Sequence, residues 1–216
     1  MSAKIILVGA GGHAKVVLDA LQAAGLVVGG VVDPSLAGSS DYWRGVPVLG
    51  DDRDLLKLKP GDVELVNGIG SMPGQSLRRE IFRKLTSAGF NFLSVIHPSV
   101  ITGSGVRLMA SAQLMAGAIV QADSLVGTNT IVNTSAHIDH DCKIGSDVHI
   151  APGVAISGGV QIGDGAHIGT GASIIQGISL GRGVVVGAGA VVVRNVPDNA
   201  RVMGPAPRVT PGQGME

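Results

Sequence analysis

The sequence predicts a small α/β lobe in residues 1–95, a parallel β-helix in residues 96–196 and a C-terminal tail in residues 197–216. Two patterns lead to this division. Strand-like and helix-like segments alternate in the first part, and an aliphatic residue recurs at every sixth position in the second. The chain also contains 34 glycines among its 216 residues, and a structure made of many short turns accounts for them.

The predicted lobe is a small parallel α/β sheet, because its strand and helix patterns follow the order β-α-β-β-α-β. Its strands are expected at residues 4–8, 26–32, 62–67 and 91–96, and its helices at residues 15–24 and 73–88. In the second helix the apolar residues Leu77, Ile81, Phe82 and Leu85 share one face, which we expect to be buried on the sheet.

A glycine-rich loop joins the first predicted strand to the first helix. Its pattern is Gly9-x-Gly11-x-x-Ala14, and with Asp33 at the end of the second strand it looks like half of a dinucleotide-binding fingerprint in a Rossmann-like lobe. A glycine turn at a helix N-terminus suits a phosphate group. One short lobe does not supply both halves of an NAD site, so we expect a nucleotide or nucleotide-sugar pocket; a tight turn without a ligand is the alternative. His13 either meets a phosphate or caps the turn.

The six-residue period continues without a failure through fifteen consecutive positions. These positions are Leu108, Leu114, Val120, Val126, Val132, Ile138, Ile144, Ile150, Ile156, Ile162, Ile168, Ile174, Leu180, Val186 and Val192. A period of six fits neither an α-helix nor an alternating strand, but it fits a parallel β-helix with a triangular coil of about 18 residues. We expect the aliphatic residues to point inward and the small residues two positions earlier, such as Cys142, to pack beside them. The glycines, including those that follow the aliphatic residues, such as Gly127, are expected at turns with unusual φ.

Four of the six histidines, His137, His140, His149 and His167, lie close together in the sequence. His149 and His167 are 18 residues apart, so they should stack on adjacent coils at a spacing of about 4.8 Å. His140 follows an inward position by two residues and should point outward, next to Asp141. A histidine oriented by a carboxylate can be the general base for an attacking amine, whereas a surface histidine in a polar turn is the simpler alternative. We interpret His137 as a turn residue, and His167 either assists His149 or fills the seam.

The composition excludes several classes of function. A formal net charge of zero argues against a nucleic-acid or anionic-membrane partner, and an aromatic content of 2% argues against a platform for stacking bases. The single cysteine rules out an internal disulfide framework and any metal site with several cysteines. The N-terminal apolar stretch at residues 5–8 is too short for a signal peptide or a membrane span, so we expect a cytoplasmic protein.

The segment from Asn133 to Gly153 carries the most specific resemblance to known proteins. It contains Asn133, then Ile138-x-His140-Asp141-Cys142-x-Ile144-Gly145, and then His149-Ile150-x-Pro152-Gly153. Together with the hexapeptide repeats and the lobe, this segment resembles the bacterial sugar acyltransferases of the sialic acid O-acetyltransferase type, and the resemblance covers residues 3–206. It implies a left-handed β-helix, a homotrimer with sites between the β-helices of neighbouring copies, and acetyl-CoA as the acetyl donor.

The same resemblance implies roles for individual residues. His140 would be the catalytic base, Asp141 its orienting acid, and the backbone N–H of Gly158 an oxyanion donor. The residues implied for acetyl-CoA binding are His149, Gly158, Thr170, Gly187 and Ala188. The residues implied for binding the nucleotide sugar are Gly11, Gly12, His13, Asp33, Gly70 and Asn133. The ending Gly204-Pro205-Ala206-Pro207-Arg208 departs from the family's Gly-Asn-Pro-Ala pattern, so it is not assigned contacts with coenzyme A.

The resemblance implies an N-acetyltransferase that acetylates the 4-amino group of a nucleotide-linked 4-amino-4,6-dideoxy sugar, without a metal cofactor. The loop Gly68-Ile69-Gly70-Ser71 and the pair His140-Asp141 are most similar to those of the GDP-perosamine N-acetyltransferases. Four alternatives remain open at this point. They are a UDP-linked amino sugar as substrate, an O-acetyl transfer to a hydroxyl, a zinc-dependent hydration by histidines from adjacent coils, and a nucleotide-binding scaffold without catalysis.

Overall fold

The computed structural model describes residues 3–204, in which a three-stranded parallel sheet with its helices precedes a parallel β-helix of about six turns. The sheet contains, in spatial order, the strands Val28–Val32, Lys4–Val8 and Val63–Asn67. The two longer helices of the lobe are Gly12–Ala23 and Leu77–Ser87. Smaller elements that the sequence did not predict are the hairpin Tyr42–Trp43 with Val46–Pro47, the helix Asp52–Leu55 and the 3₁₀ turn Pro60–Asp62.

The central strand Lys4–Val8 is apolar on both faces because a helix covers each face. Ile5 and Leu7 point to the side of the helix Gly12–Ala23, whereas Ile6 and Val8 belong to the cluster that contains Leu85 of the second long helix. This alternation follows from the two-residue period of a strand. The sequence therefore predicted a parallel α/β lobe correctly.

Three details of the lobe differ from the sequence prediction. The first helix, expected at residues 15–24, already begins at Gly12 and ends at Ala23. The fourth strand, expected at residues 91–96, is divided: Phe92 makes a single bridge to Leu65, and Val95–Ile96 joins the β-helix by pairing with Gln113–Leu114. The second helix begins at Leu77, and Leu77 is exposed although we expected it on the buried face. Arg78 takes the buried position instead, because its guanidinium finds backbone carbonyls between the lobe and the β-helix.

The β-helix is built from two-residue strands that form three parallel sheets. The first sheet contains Val95–Ile96, Gln113–Leu114, Ile131–Val132, His149–Ile150, His167–Ile168, Val185–Val186 and Arg201–Val202. The second contains Ile101–Thr102, Ile119–Val120, His137–Ile138, Ala155–Ile156, Ser173–Ile174 and Val191–Val192. The third contains Arg107–Leu108, Leu125–Val126, Lys143–Ile144, Gln161–Ile162 and Ser179–Leu180.

The inward column predicted from the six-residue period is confirmed. Every member of the series from Leu114 to Val192 is buried, and Leu108 packs half-buried at the open end of the column. The small residues between them are buried too, including Cys142. The strand Arg201–Val202 pairs with Val185–Val186, so the β-helix continues beyond the predicted boundary at residue 196. Residues 205–208 of the divergent ending lie outside the described residues.

The expectation that all these glycines serve turns of unusual φ is wrong for those that follow the aliphatic residues. Gly127 has an ordinary φ, but a Cβ there would meet the carbonyl of Gly145 in the next coil and lie 2.7 Å from the Ser146 nitrogen. The left-handed positions occur two residues later in each turn, where Asn129 (φ 57°) stands as readily as Gly153 (φ 67°). Gly127 is therefore required by the close approach of two coils.

Two glycines distinguish these requirements when the same substitution is made at each. We expect Gly127→Asn to lower the free energy of unfolding by about 3 kcal/mol or more, because the adjacent coil leaves no room. We expect Gly153→Asn to change it by less than about 1 kcal/mol, since its φ suits asparagine and no atom lies within 4 Å of the added Cβ. Thermal unfolding followed by circular dichroism at one protein concentration measures both, and equal losses would contradict the assignment.

Candidate active site

His140 and Asp141 lie in an exposed turn between the second and third sheets of the β-helix. The residues on either side, Ile138 and Cys142, point inward and are buried, which turns the pair outward. Asp141 adopts a left-handed backbone conformation with φ 58°. Its Oδ2 lies 2.7 Å from Nδ1 of His140.

This contact determines the protonation of the imidazole. The hydrogen bond from His140 to Asp141, together with the charge of Asp139, raises the pKa of His140 above its ordinary value. When Nδ1–H donates to Asp141, the neutral ring carries its lone pair at Nε2. No hydrogen bond within residues 3–204 engages Nε2. The geometry therefore allows His140 to accept a proton from a bound molecule.

Gly158 in the next coil makes room for this ring. A Cβ at Gly158 would lie 2.6 Å from both Cε1 and Nε2 of His140. The neighbouring Gly159 donates its backbone N–H to the carbonyl of His140 at 2.8 Å, and this bond fixes the distance between the two successive turns. The absence of a side chain at Gly158 is thus a condition for the present position of the imidazole.

Cys142 belongs to the core, as predicted. Its Sγ donates to the backbone carbonyl of Ser157 at 3.3 Å, and the residue has no exposed surface. Burial raises the pKa of the thiol, which disfavours a thiolate.

Asp33 organises the glycine loop of the lobe. Its Oδ2 accepts the backbone N–H of Ala10 at 2.7 Å, and its Oδ1 accepts the backbone N–H and the hydroxyl of Ser35. Burial acts to raise the pKa of Asp33, but the hydrogen bonds from Ser35 and Ala10 outweigh it and lower the pKa. Next to this loop, Gly11 and Gly12 have open space around them at the start of the helix Gly12–Ala23. This arrangement leaves helix N–H groups accessible to an anion.

His13 has a role that neither sequence interpretation anticipated. Its Nε2 is 2.8 Å from Oε1 of Gln113, so the ring is directed to the first sheet of the β-helix. Burial lowers the pKa of His13 to about 4, and the charge of Arg78 acts in the same direction. His13 is therefore neutral at physiological pH. Gly70, also predicted in this site, lies directly against it, since a Cβ there would be 3.3 Å from Cβ of His13.

The predicted stacking of His149 and His167 is confirmed. Their ring centroids are 4.8 Å apart with an interplanar angle of 29°. Burial lowers the pKa of His149 to about 3, with further contributions from His167, His13 and Arg78. The Nδ1 atoms of both stacked rings are buried without a hydrogen-bond partner within residues 3–204. Both histidines belong to the first sheet of the β-helix, so the stack lies on the sheet that faces the lobe.

Within the β-helix, the predicted site residues other than His149 lie along two edges. Asn133, Thr170, Gly187 and Ala188 share the edge between the first and second sheets, and the first sheet also faces the lobe. His140, Asp141 and Gly158 share the edge between the second and third sheets. Within the described part of the chain, no hydrogen bond or ion pair joins the lobe to the His140 turn. Each edge thus presents only part of the predicted site.

Sequence reasoning missed the polar residues that join the lobe to the β-helix. Asn67, Arg78, Gln113 and Asn129 are buried and bonded to one another. One signal was present: Asn67 is a polar residue at the end of an apolar strand and directly precedes a glycine loop. The partners of Asn67 were not deducible, since they depend on how the two parts pack.

Two further observations concern residues 3–204 alone. No group of three or more histidine, cysteine, aspartate or glutamate side chains in that range has the arrangement of a metal site. No helix in the same range has the length and apolar character needed to cross a membrane.

The influence of Asp141 on His140 is directly measurable. We expect Asp141→Asn to lower the pKa of His140, because the main interaction that stabilises the imidazolium is lost. Titration of the histidine ring protons by NMR reports this value. Asp123→Asn is the matched control, since Asp123 occupies the equivalent left-handed position one coil earlier. A pKa that is unchanged or raised in Asp141→Asn would contradict the interpretation of the pair.

Comparisons with known proteins agree with this architecture. Residues 4–85 match the PglD N-terminal domain family. The structure of PerB from Caulobacter crescentus, in complex with CoA and GDP-perosamine, is 38% identical with a TM-score of 0.85, and the match covers 94% of this chain and 95% of PerB. The acetyltransferase domain of PglB from Neisseria gonorrhoeae, in complex with acetyl coenzyme A, is 37% identical with a TM-score of 0.84, covering 94% and 97%.

A third structure, WeeI from Acinetobacter baumannii, is 26% identical with a TM-score of 0.84 and covers 94% of this chain and 97% of its own. No curated protein sequence matches the chain. The likeness to PerB and PglB extends over the lobe and the β-helix together. The fold of the lobe and of the β-helix, together with these similarities, shows that the chain belongs to the PglD-like family of hexapeptide-repeat sugar acetyltransferases.

Proposed function

We propose that this protein transfers the acetyl group of acetyl-CoA to the 4-amino group of a nucleotide-linked 4-amino-4,6-dideoxy sugar, with GDP-perosamine as the leading substrate. The observation that carries the proposal is the exposed His140–Asp141 pair, in which no residue between 3 and 204 bonds to Nε2 of His140, on a chain similar along its length to a protein crystallised with CoA and GDP-perosamine. The substrate follows from that similarity, and the chemistry follows from the pair.

In the proposed reaction the sugar amine attacks the thioester carbonyl directly. The N–C bond forms, the C–S bond breaks, and the amine proton passes to Nε2 of His140 and then to the leaving thiolate. Asp141 stabilises the imidazolium that forms between these steps. The backbone N–H of Gly158, beside the ring, is the proposed donor to the carbonyl oxygen as it becomes negative.

An acyl-enzyme is not part of this mechanism. The single thiol of the chain, Cys142, is buried in the core, and burial raises its pKa. A positioned amine needs no protein nucleophile, because holding the two reactants together supplies much of the rate. No step in this scheme requires a metal ion.

We further propose that the active site forms between copies in a homotrimer. In a single chain, His140 lies on one edge of the β-helix, whereas the lobe and the residues Asn133, Thr170 and Gly187 lie around the first sheet. A neighbouring copy placed with its His140 edge against this region would complete the site. The lobe would then bind the nucleotide through Gly11, Gly12, Asp33 and the Gly70 loop, while acetyl-CoA would lie along the edge that contains Ala188, beside the stacked His149.

Thiol release tests the proposed reaction. We expect rapid release of coenzyme A from acetyl-CoA with GDP-perosamine and slower release with a UDP-linked 4-amino-6-deoxy sugar. His140→Ala should reduce the rate by about 10²–10⁴-fold, the usual contribution of a general base. His137→Ala is the control, since His137 is exposed three residues away. No release by the native protein with either amine would refute the proposed function.

Mixed trimers test whether the site lies between copies. His140→Ala removes the base, and Gly12→Glu places a carboxylate where the nucleotide phosphate is expected. Each variant alone should be nearly inactive. Co-expressed as a one-to-one mixture, they should regain about one quarter of the native activity, because each site draws its two halves independently. Preformed trimers mixed after purification are the control, and no recovery on co-expression would place both halves of the site in one chain.

A further inference from the structure

We propose that Arg78 and Asn67 are positioning residues: they hold the loop at residues 68–71 against the β-helix and thereby set the place of the nucleotide-linked sugar relative to the acetyl donor. This inference rests on the proposed function, since it assigns a purpose to a loop that contains Gly70. It concerns buried residues that bond to the backbone of the loop.

Arg78 connects two separate parts of the molecule. Its Nη1 donates to the carbonyl of Ile69 at 2.6 Å and to the carbonyl of Asn67 at 3.2 Å, both in the lobe. Its Nε and Nη2 each donate to the carbonyl of Asn129 at 3.4 Å, in a turn of the β-helix. One planar guanidinium thus holds a loop carbonyl and a coil carbonyl at a defined separation.

Burying a guanidinium without an ion-pair partner costs free energy, which indicates a role beyond filling space. Arg78 is only 6% exposed, and within residues 3–204 no carboxylate forms an ion pair with it. Burial lowers the pKa of Arg78 to about 9, although the charge of Asp147 opposes the shift, so the guanidinium stays protonated at neutral pH. An apolar residue would fill a purely structural position at lower cost, whereas a buried charge with several acceptors specifies one orientation.

Asn67 completes the connection from the other side of the loop. Its Oδ1 accepts the backbone N–H of Ile69 at 3.1 Å, and its Nδ2 donates to Oδ1 of Asn129 at 3.1 Å. Its carbonyl accepts from Nε2 of Gln113 at 2.7 Å, and Gln113 also reaches His13. The loop at residues 68–71 and the first turn of the helix Gly12–Ala23, which contains His13, are therefore both tied to the β-helix through Gln113 and Asn129.

The loop at residues 68–71 also touches the glycine loop that precedes this helix, so a displacement of one would move the other. A Cβ at Gly68 would lie 3.0 Å from the carbonyl of Gly9, and a Cβ at Gly9 would lie 3.0 Å from Cγ1 of Ile69. Arg78 stabilises this contact between the two loops through its hydrogen bond to the carbonyl of Ile69. Loss of its hydrogen bond to Ile69 would release Gly70, whose place is the proposed contact with the nucleotide sugar.

The test compares Arg78→Met and Arg78→Lys with Arg79→Met, an exposed neighbour on the same helix. We expect Arg78→Met to raise the KM for GDP-perosamine about tenfold or more, while the KM for acetyl-CoA changes by less than about twofold. The KM for GDP-perosamine of Arg78→Lys should lie between those of the native protein and Arg78→Met, because one ammonium group can bond to Ile69 but cannot also reach Asn129. A parallel rise in both KM values, or an effect equal to that of Arg79→Met, would overturn the proposal.

A second measurement does not depend on catalysis. Hydrogen exchange of the peptide that contains residues 66–72 should be about tenfold faster in Arg78→Lys than in the native protein, with the coils beyond residue 140 unchanged. Affinity for GDP alone, by calorimetry, should fall in step. If the native protein releases no thiol, the proposed function fails, and these two readouts still decide the role of Arg78. If Arg78→Met does not fold, Arg78→Lys decides it, and unchanged exchange in that variant refutes the positioning role.

Discussion

The parallel register of one coil on the next places every functional side chain of the β-helix. Residues 18 positions apart pair directly, as Ile138 does with Ile156 and Ile156 with Ile174. Equivalent positions therefore form columns along each face and each edge. The aliphatic columns point inward and are buried, and a slip of one residue would expose them, so burial maintains the register. Chemistry at an edge then depends on which side chain occupies one repeated backbone position.

The His140 edge shows how narrow that choice is. Its left-handed position is occupied in successive coils by Gly105, Asp123, Asp141, Gly159 and Gly177. Glycine and short polar residues adopt this conformation at the lowest cost, so a carboxylate is one of the few side chains that the edge accepts. In the coil after Asp141, glycines follow at 158 and 159, and the imidazole of His140 occupies the space that Gly158 leaves. The imidazole, its carboxylate partner and the room for the ring thus arise from one repeated turn.

The sequence was sufficient wherever structure depends on short-range pattern. The inward column, the burial of Cys142 and the stacking of His149 on His167 all follow from counting residues, because a solenoid converts sequence distance directly into spatial distance. The strand Lys4–Val8 and its parallel neighbours were equally accessible from apolar runs.

The sequence failed where two parts of the chain meet. Helical periodicity placed Leu77 on the buried face, but the surface that the helix meets offers carbonyl groups, so Arg78 is buried and Leu77 is exposed. The bond from His13 to Gln113 spans 100 residues, and no local pattern encodes it. The division of the predicted site between two edges likewise follows from the three-sheet geometry.

The joint between lobe and β-helix combines apolar packing, in which Val95 and Met115 of the β-helix join the core of the lobe, with the polar network of Arg78 and Asn67. Apolar surfaces tolerate small sliding motions, whereas the hydrogen bonds of Arg78 and Asn67 lose strength when angle or distance changes. Burial lowers the pKa of the neighbouring His13 to about 4 and that of His149 to about 3, so both rings are neutral at physiological pH. The guanidinium of Arg78 therefore has no positively charged histidine beside it.

Directional bonding matters most in the proposed trimer, where the base and the sugar are carried by different copies. Transfer requires the reacting atoms to approach to about 3–3.5 Å, and errors in subunit placement and in lobe placement add together. The interface between copies sets the first error. A lobe held to its own β-helix by directional polar contacts, such as Gln113 to Asn67 at 2.7 Å and Asn67 to Asn129 at 3.1 Å, reduces the second.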